Sequence, residues 1–417
     1  MVKFVVNRNT GRKSTTLPRW LNRILQGRDR APLPTLPFDL VAEILCRLPV
    51  KLLVQLRCLC KSFNSLISDP KFAKKHLQMS TARHHLMLRS TNNLGKLFLY
   101  DSPIQSIFST SRVKQTQLNY PNGLKNNHFC AYSCDGILCI SNTNYYSCAV
   151  LWNPSIGEFK ILPPLETSPN RRACSSFYSF GYDHFIRNYK TVVISFDTDN
   201  YFFAGKYEVS VLTLGTYSWR RIQAVADLGG DQQIRHWIQD FPYLNTFCES
   251  GVFVSSTVNW LTYDLLRIFI VSLDLEKESY QDLWTPVLHD CLCIFANCDM
   301  FWDVWVMKEY GNKDSWTKLY HIPYMRYRGL WINPKILYVN EDDQLLMKVY
   351  DLGSSKVKLV VYNSKSGTLK FPKIQNIDYL MDPEVYIESV ISPCSKFLLM
   401  ILPLDILKGG GFAESLL

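Results

Sequence analysis

Six times along this chain an Asp, Asn, Thr or Glu closes a short apolar run, and an apolar or aromatic residue opens the next, six or seven positions later. The pairs are Asp101 and Ile107, Asn153 and Phe159, Thr213 and Trp219, Asp274 and Tyr280, Glu309 and Trp316, and Asn363 and Leu369. Two of them, Asn153-Pro-Ser-Ile-Gly157 and Asn363-Ser-Lys-Ser-Gly367, also place a glycine four residues on. That is the composition of a hairpin turn that needs positive φ. Successive first members lie 52, 60, 61, 35 and 54 residues apart. A four-stranded propeller blade takes about 40–50 residues, so the string of hairpins predicts a β-propeller with loops of varying length. The 35-residue interval is short for a blade, and about six blades are expected.

The runs between these turns alternate as strands do: His85-Leu-Met-Leu88, Lys96-Leu-Phe-Leu-Tyr100, Glu208-Val-Ser-Val-Leu212 and Lys358-Leu-Val-Val-Tyr362. Period-two patterning between Gly, Asn and Ser turns predicts antiparallel pairing. No long helical stripe interrupts residues 80–408, which therefore read as an all-β domain. Its loops are the segments freest to recognise a target, and the long ones, 103–129, 165–178 and 223–247, are the candidates.

A different texture occupies residues 35–79. Pro37 stands where a first helical turn tolerates a missing N–H. Leu40, Ile44, Leu45 and Leu48 then recur at helical spacing, with Asp39 and Glu43 toward the positive helix end. After Pro49, Leu52, Leu53, Leu56 and Leu59 form a second stripe, and Phe63, Leu66 and Ile67 a third. Asp69-Pro70 supplies an N-cap followed by proline at the first helical position. Burying one leucine is worth about 1.5–3 kcal/mol, and a unit this short cannot enclose all of its own. Leucines left over in such a unit mark a surface for a partner, or else the underside of a cap on the larger domain.

Charge is unevenly spread. Of the net +10, residues 1–34 carry +7 and residues 35–79 carry +4, leaving 80–417 near −1. The large domain has no basic excess, which removes the main electrostatic argument for nucleic acid. Residues 1–34 read as a basic flexible extension and 409–417 as a flexible tail. Thirteen cysteines occur without a Cys-x-x-Cys; the closest groupings are Cys58/Cys60, Cys130/Cys134 and Cys291/Cys293/Cys298. Buried free thiols in a reducing compartment are expected, and neither a metal nor a cofactor. No run reaches about 18 apolar residues, so no membrane partner is expected. Phe397–Ile406, interrupted by Pro403 and Asp405, reads as a buried strand. The amino end has no secretory apolar block, and the cytosol or nucleus is the expected location.

Residues 35–79 resemble an F-box, the module that binds the Skp-type adaptor of cullin–RING ubiquitin ligases. The likeness runs through Leu36-Pro37, Ile44-Leu45, Leu48-Pro49-Val50-Lys51, Leu56-Arg57-Cys58, Cys60-Lys61-Ser62 and Leu66-Ile67-Ser68-Asp69-Pro70. Phe63 departs from it, replacing the usual Trp. The resemblance implies Leu36, Pro37, Leu40, Ile44, Leu45, Leu48, Pro49, Leu53 and Leu56 as adaptor contacts or their immediate support. The larger domain resembles the plant F-box-associated domain, a kelch-like propeller. The matching stretches are Ser133–Leu138, Leu151–Pro154, Phe180–Asp183 with Tyr189-Lys190, Tyr217–Arg220, Val258–Leu261, Asp303–Gly311, Ser315–Lys318 and Tyr386–Ser389. It departs at Ser255-Ser256, where the usual hairpin has Asn-Gly and another turn type is expected. The double glycine of true kelch blades is also missing, apart from Gly229-Gly230 and the tail glycines.

Catalytic chemistry finds little purchase. Asp299, Asp303 and Glu309 form a carboxylate cluster, but they lie among Met300, Phe301, Trp302, Trp305 and Met307, so turn and edge roles are expected. His84-His85 reads as a pair pointing to alternate faces, one solvated and one buried, and Lys308-Glu309 as a surface ion pair. Arg171-Arg172 sits on a Pro-rich loop. Tryptophans 152, 219, 260, 302, 305 and 316 read as packing residues. No phosphate loop, dinucleotide fingerprint or nucleophile elbow occurs. The resemblance implies a non-catalytic receptor subunit that reaches cullin and RING subunits through the adaptor and holds an unidentified protein target. The alternatives are a glycoside-active propeller enzyme with an incidental helical cap, and an F-box protein that does not promote degradation.

Overall fold

The computed structural model describes residues 37–79, 83–91, 97–110, 112–120, 129–142, 149–165, 174–197, 208–222, 251–254, 256–263, 268–277, 279–283, 287–288, 291–298, 301–309, 312–323, 331–375, 377 and 380–394. The chain divides into two compact units, Met1–Ile44 and Leu45–Leu417. The basic extension, the tail and Phe397–Ile406 lie outside the described residues.

Helix α1 (Phe38–Leu45) begins as Pro37 O accepts Leu40 N at 3.0 Å. Within the second unit follow α2 (Val50–Arg57), α3 (Lys61–Ile67) and α4 (Pro70–Gln78). Two caps set these boundaries. Cys60 Sγ accepts Phe63 N at 3.4 Å, and Asp69 Oδ1 accepts Lys71 N at 2.7 Å and Phe72 N at 3.2 Å. The Asp-Pro signal thus works as the sequence predicts, whereas a thiol as N-cap is outside the usual set. Val50, Leu53, Ile67, Phe72, Ala73 and His76 turn inward.

The strands begin with β1 (His84–Thr91) and β2 (Leu97–Pro103), then helix α5 (Ile104–Ser109), β3 (Arg112–Val113) and β4 (Thr116–Leu118). Four-stranded antiparallel sheets follow in chain order. The first of these is β5 (Phe129–Cys134), β6 (Ile137–Asn142), β7 (Ala149–Asn153) and β8 (Glu158–Ile161). Next come β9 (Cys174–Asp183), β10 (Asn188–Asp197), β11 (Glu208–Thr213) and β12 (Arg220–Ile222). The fourth blade is β13 (Val252–Val254), β14 (Thr257–Tyr263), β15 (Ile268–Asp274) and β16 (Ser279–Leu283). The fifth is β17 (Val287–Leu288), β18 (Cys291–Cys298), β19 (Phe301–Met307) and β20 (Trp316–Pro323). The sixth is β21 (Trp331–Val339), β22 (Gln344–Asp351), β23 (Lys356–Asn363) and β24 (Thr368–Lys370). Finally β25 (Lys373–Ile374) pairs in parallel with β3, and β26 (Leu380–Ile387) pairs with β1, so the first blade reads β26-β1-β2-β4. Among the described residues this makes six four-stranded sheets, the architecture and blade number expected.

Cores lie between successive blades. Met87 joins Leu138, Ile140, Val150 and Trp152 of the second blade. Its neighbours Leu86 and Leu88 point the other way, to Leu346, Leu359 and Val361 of the sixth. A middle strand covered on both faces has no solvated side, and all five residues of β7 are buried. Simple alternation of apolar and polar residues therefore fails there.

Three members of the repeat share a local cause. Asn153 Oδ1 accepts Ser155 N at 2.9 Å; Asp274 Oδ1 accepts Glu276 N at 2.9 Å; Asn363 Oδ1 accepts Lys365 N at 3.0 Å. Each carboxamide or carboxylate folds the chain back between the third and fourth strands of its blade. Gly157 at φ 74° and Gly367 at φ 66° complete two of these turns. Asp101 and Ile107 break the rule, because Ile107 opens no strand and is buried within α5. Ser256, just before Thr257 of β14, adopts φ 63° without a glycine, and Ser255 lies outside the described residues.

Candidate protein-docking site

Helix α1 leaves apolar side chains in water: Phe38 is 51% exposed, Leu40 50% and Ile44 52%. Pro37 is exposed as well, and Leu36 lies outside the described residues. In the second unit, Pro49 is exposed, Leu48 and Leu56 are half-buried, and Leu59 is exposed. Leu45 and Leu53 are buried in the chain itself. Phe38 and Leu59 belong with the exposed set although neither was among the expected contacts. A helical stripe reveals which side chains share a face, but not which face the rest of the chain covers.

The thiols also depart from expectation. Cys46 and Cys139 are buried, and burial pushes the Cys139 thiol up to about 12. Cys58, Cys60 and Cys394, however, are exposed free thiols. The two histidines at the start of β1 are both half-buried. The His84 ring sits 4.9 Å from that of Tyr338, and His85 Nδ1 lies 2.9 Å from the Asp101 carboxylate.

Among the described residues, Asp303 and Glu309 of the sequence cluster occupy a strand and a turn. Asp303 sits mid-strand in β19, beside His321 and Lys318 of β20, with 2.5 Å to His321 Nδ1 and 2.5 Å to Lys318 Nζ. Lys318 and then His321 hold its pKa below the ordinary carboxylate value, despite the opposing effect of burial. Glu309 is an exposed turn residue accepting from Asn312 Nδ2 at 2.7 Å, and Asp299 and Arg171-Arg172 lie outside the described residues. Trp152 and Trp302 are buried packing residues, while Trp219, Trp305 and Trp316 are half-buried. Among the described residues no three His, Cys, Asp or Glu side chains gather as a metal site would.

Of the long candidate loops, residues 103–129 contain α5, β3 and β4, with Ile104, Ile107 and Val113 buried. That stretch is blade structure as far as residue 120. The remaining stretches, 121–128, 166–173 and 223–247, lie outside the described residues.

Comparison with known families agrees with both parts of this arrangement. The F-box domain model matches residues 33–75, and the F-box associated beta propeller domain model matches residues 83–281. An F-box/kelch-repeat protein of Arabidopsis thaliana is 27% identical over 382 residues, covering 86% of this chain and 96% of its own length. The F-box protein CPR1 of Arabidopsis thaliana is 28% identical over 395 residues, covering 86% of this chain and 89% of its own.

Proposed function

The chain is a plant F-box protein carrying an F-box-associated β-propeller, and from that premise we propose that it is the substrate-recognition subunit of an Skp–cullin–F-box ubiquitin ligase. The observation that carries this is the set of half-exposed apolar side chains on α1, Phe38, Leu40 and Ile44, inside the matched F-box. Apolar groups kept in water cost free energy unless a partner removes them, and the F-box match supports an Skp-type adaptor as that partner. Cullin and RING subunits then follow through the adaptor, and the propeller holds a protein target.

The subunit needs no nucleophile or acid–base pair for this work. Tethering raises the effective concentration of a target lysine near the charged conjugating enzyme, and proximity supplies the acceleration. Exposed free Cys58, Cys60 and Cys394 suit the reducing cytosol or nucleus. The test is co-purification of the full chain with an Skp-type adaptor. Wild type is compared with Leu36→Ala/Pro37→Ala and Leu40→Ala/Ile44→Ala. Both double variants are expected to lose adaptor; recovery equal to wild type from either would refute the docking surface.

A further inference from the structure

Helix α4 does not end its work in the matched F-box. Lys74, half-buried on that helix, reaches the junction of the second and third blades. Its Nζ lies 2.5 Å from Asp135 Oδ2, in the turn between β5 and β6. The same ammonium stands 3.4 Å from the ring centroid of Tyr182 on β9 and 4.9 Å from that of Tyr189 on β10. Tyr189 Oη donates to Asp135 Oδ2 at 2.7 Å, so acid, phenol and ammonium hold one another in place. Tyr182 and Tyr189 meet edge to face at 4.9 Å, and Phe180 stacks behind Tyr189 at 5.6 Å. Asp135 pays for this placement with φ 52°, a left-handed backbone in a residue other than glycine.

A second fastening lies two helices earlier. Arg57, at the end of α2, places Nη1 3.3 Å from Glu158 Oε1 on β8. The other oxygen of Glu158 accepts from Ser392 Oγ, so this carboxylate also ties down the stretch that follows β26. A cation between two aromatic faces and a carboxylate is directional and partly desolvated. An exposed lysine drifting in water would do none of this.

We propose that Lys74, in its socket of Asp135, Tyr182 and Tyr189, and Arg57, on Glu158, are positioning residues that fasten helices α2–α4 to the second and third blades. Resting on the receptor role above, the consequence is that a target held by the propeller stands at one fixed reach from helices α2–α4.

The test uses the full-length chain, free of any adaptor, so its outcome is separate from that of adaptor capture. Donor and acceptor dyes are attached through unnatural residues at exposed Ser65 on α3 and exposed Glu276 in the fourth blade. Single-molecule transfer should show one narrow population in wild type and in Lys74→Arg. In Lys74→Ala and in Arg57→Ala/Lys74→Ala that population should broaden, with the strand melting transition retained. Tyr182→Leu attacks the same socket from the propeller side and should broaden it too, which covers the case of a lysine variant that does not fold. A narrow population in the double variant and in Tyr182→Leu, or a broad one in wild type, would overturn the proposal.

Discussion

The side-chain amide of Asn153 donates to the backbone carbonyl of Ile391 at 2.8 Å, joining positions 238 residues apart. The same Nδ2 reaches Ser389 O at 3.0 Å, while Asn153 Oδ1 shapes its own turn. One fully buried carboxamide therefore builds the second blade's hairpin and anchors the stretch that follows the closing strand.

Asn153→Ala should destabilise the fold by about 2–4 kcal/mol, because buried carbonyls are left without a donor. Asn153→Asp, which keeps the turn acceptor but loses the donor, should cost nearly as much. Denaturant midpoints measured on purified chain check this, and an Asp variant as stable as wild type would show that the anchor contributes nothing.

Gly136 faces the same stretch. Its φ is 84°, and a β-carbon there would stand 2.5 Å from Ile387 O and 2.5 Å from Ser389 Oγ. Gly136→Ala is expected to cost about 1–2 kcal/mol for the backbone alone, and more from the collision. Thermal melting should fall accordingly. Gly157→Ala, where no atom lies within 4 Å, should carry the backbone penalty only.

Histidines 76 and 85 should give opposite pH responses. His76 lies below the ordinary imidazole value of 6.5, chiefly through burial and further through Arg83, against the pull of the Leu48 carbonyl. Its contribution is complete above 6.5 and lost as pH falls toward the depressed value. His85 is lowered most by burial, yet the Asp101 hydrogen bond and charge with the charge of Glu388 outweigh this, and it ends above 6.5. Its contribution is present below 6.5 and lost as pH rises through the folded value. Unfolding midpoints against pH should flatten on the acid side in His76→Gln and on the alkaline side in His85→Gln. The reverse assignment of the two limbs would contradict the geometry.

Leu40 and Ile44 should separate cleanly from Leu53. Alanine at either exposed position should weaken adaptor affinity by about 1–2 kcal/mol, roughly 5–30-fold, with the melting temperature unchanged. Leu53→Ala, at a fully buried position, should instead destabilise by about 2–5 kcal/mol. Calorimetric titration beside thermal melting distinguishes these outcomes.

What could be read from the residues was whatever rests on short-range chemistry. The blade repeat was legible because Asn153, Asp274 and Asn363 each bond backbone two residues on. The start of α4 was legible because Asp69-Pro70 is a complete cap within two positions. Ile107 misled because α5 occupies the place of a hairpin in the first blade, with the same apolar spacing. The partition of the leucines, with Leu45 and Leu53 inside and Leu40 and Ile44 outside, depends on what packs against each face. Lys74 and Asp135 lie 61 positions apart, with no local signal linking them. The partner of β1 was hidden for the same reason.

That partner has a consequence for synthesis. β26 is the last described strand to leave the ribosome, and until it arrives β1 presents a bare edge of unpaired N–H and C=O groups. A nascent chain halted by a premature stop before Leu380 would keep every helix up to Gln78 while its ring stayed open. On the proposed role, such a fragment would occupy adaptor without offering a finished cradle, so a stop late in this gene would yield a competitor of the intact chain rather than a simple loss.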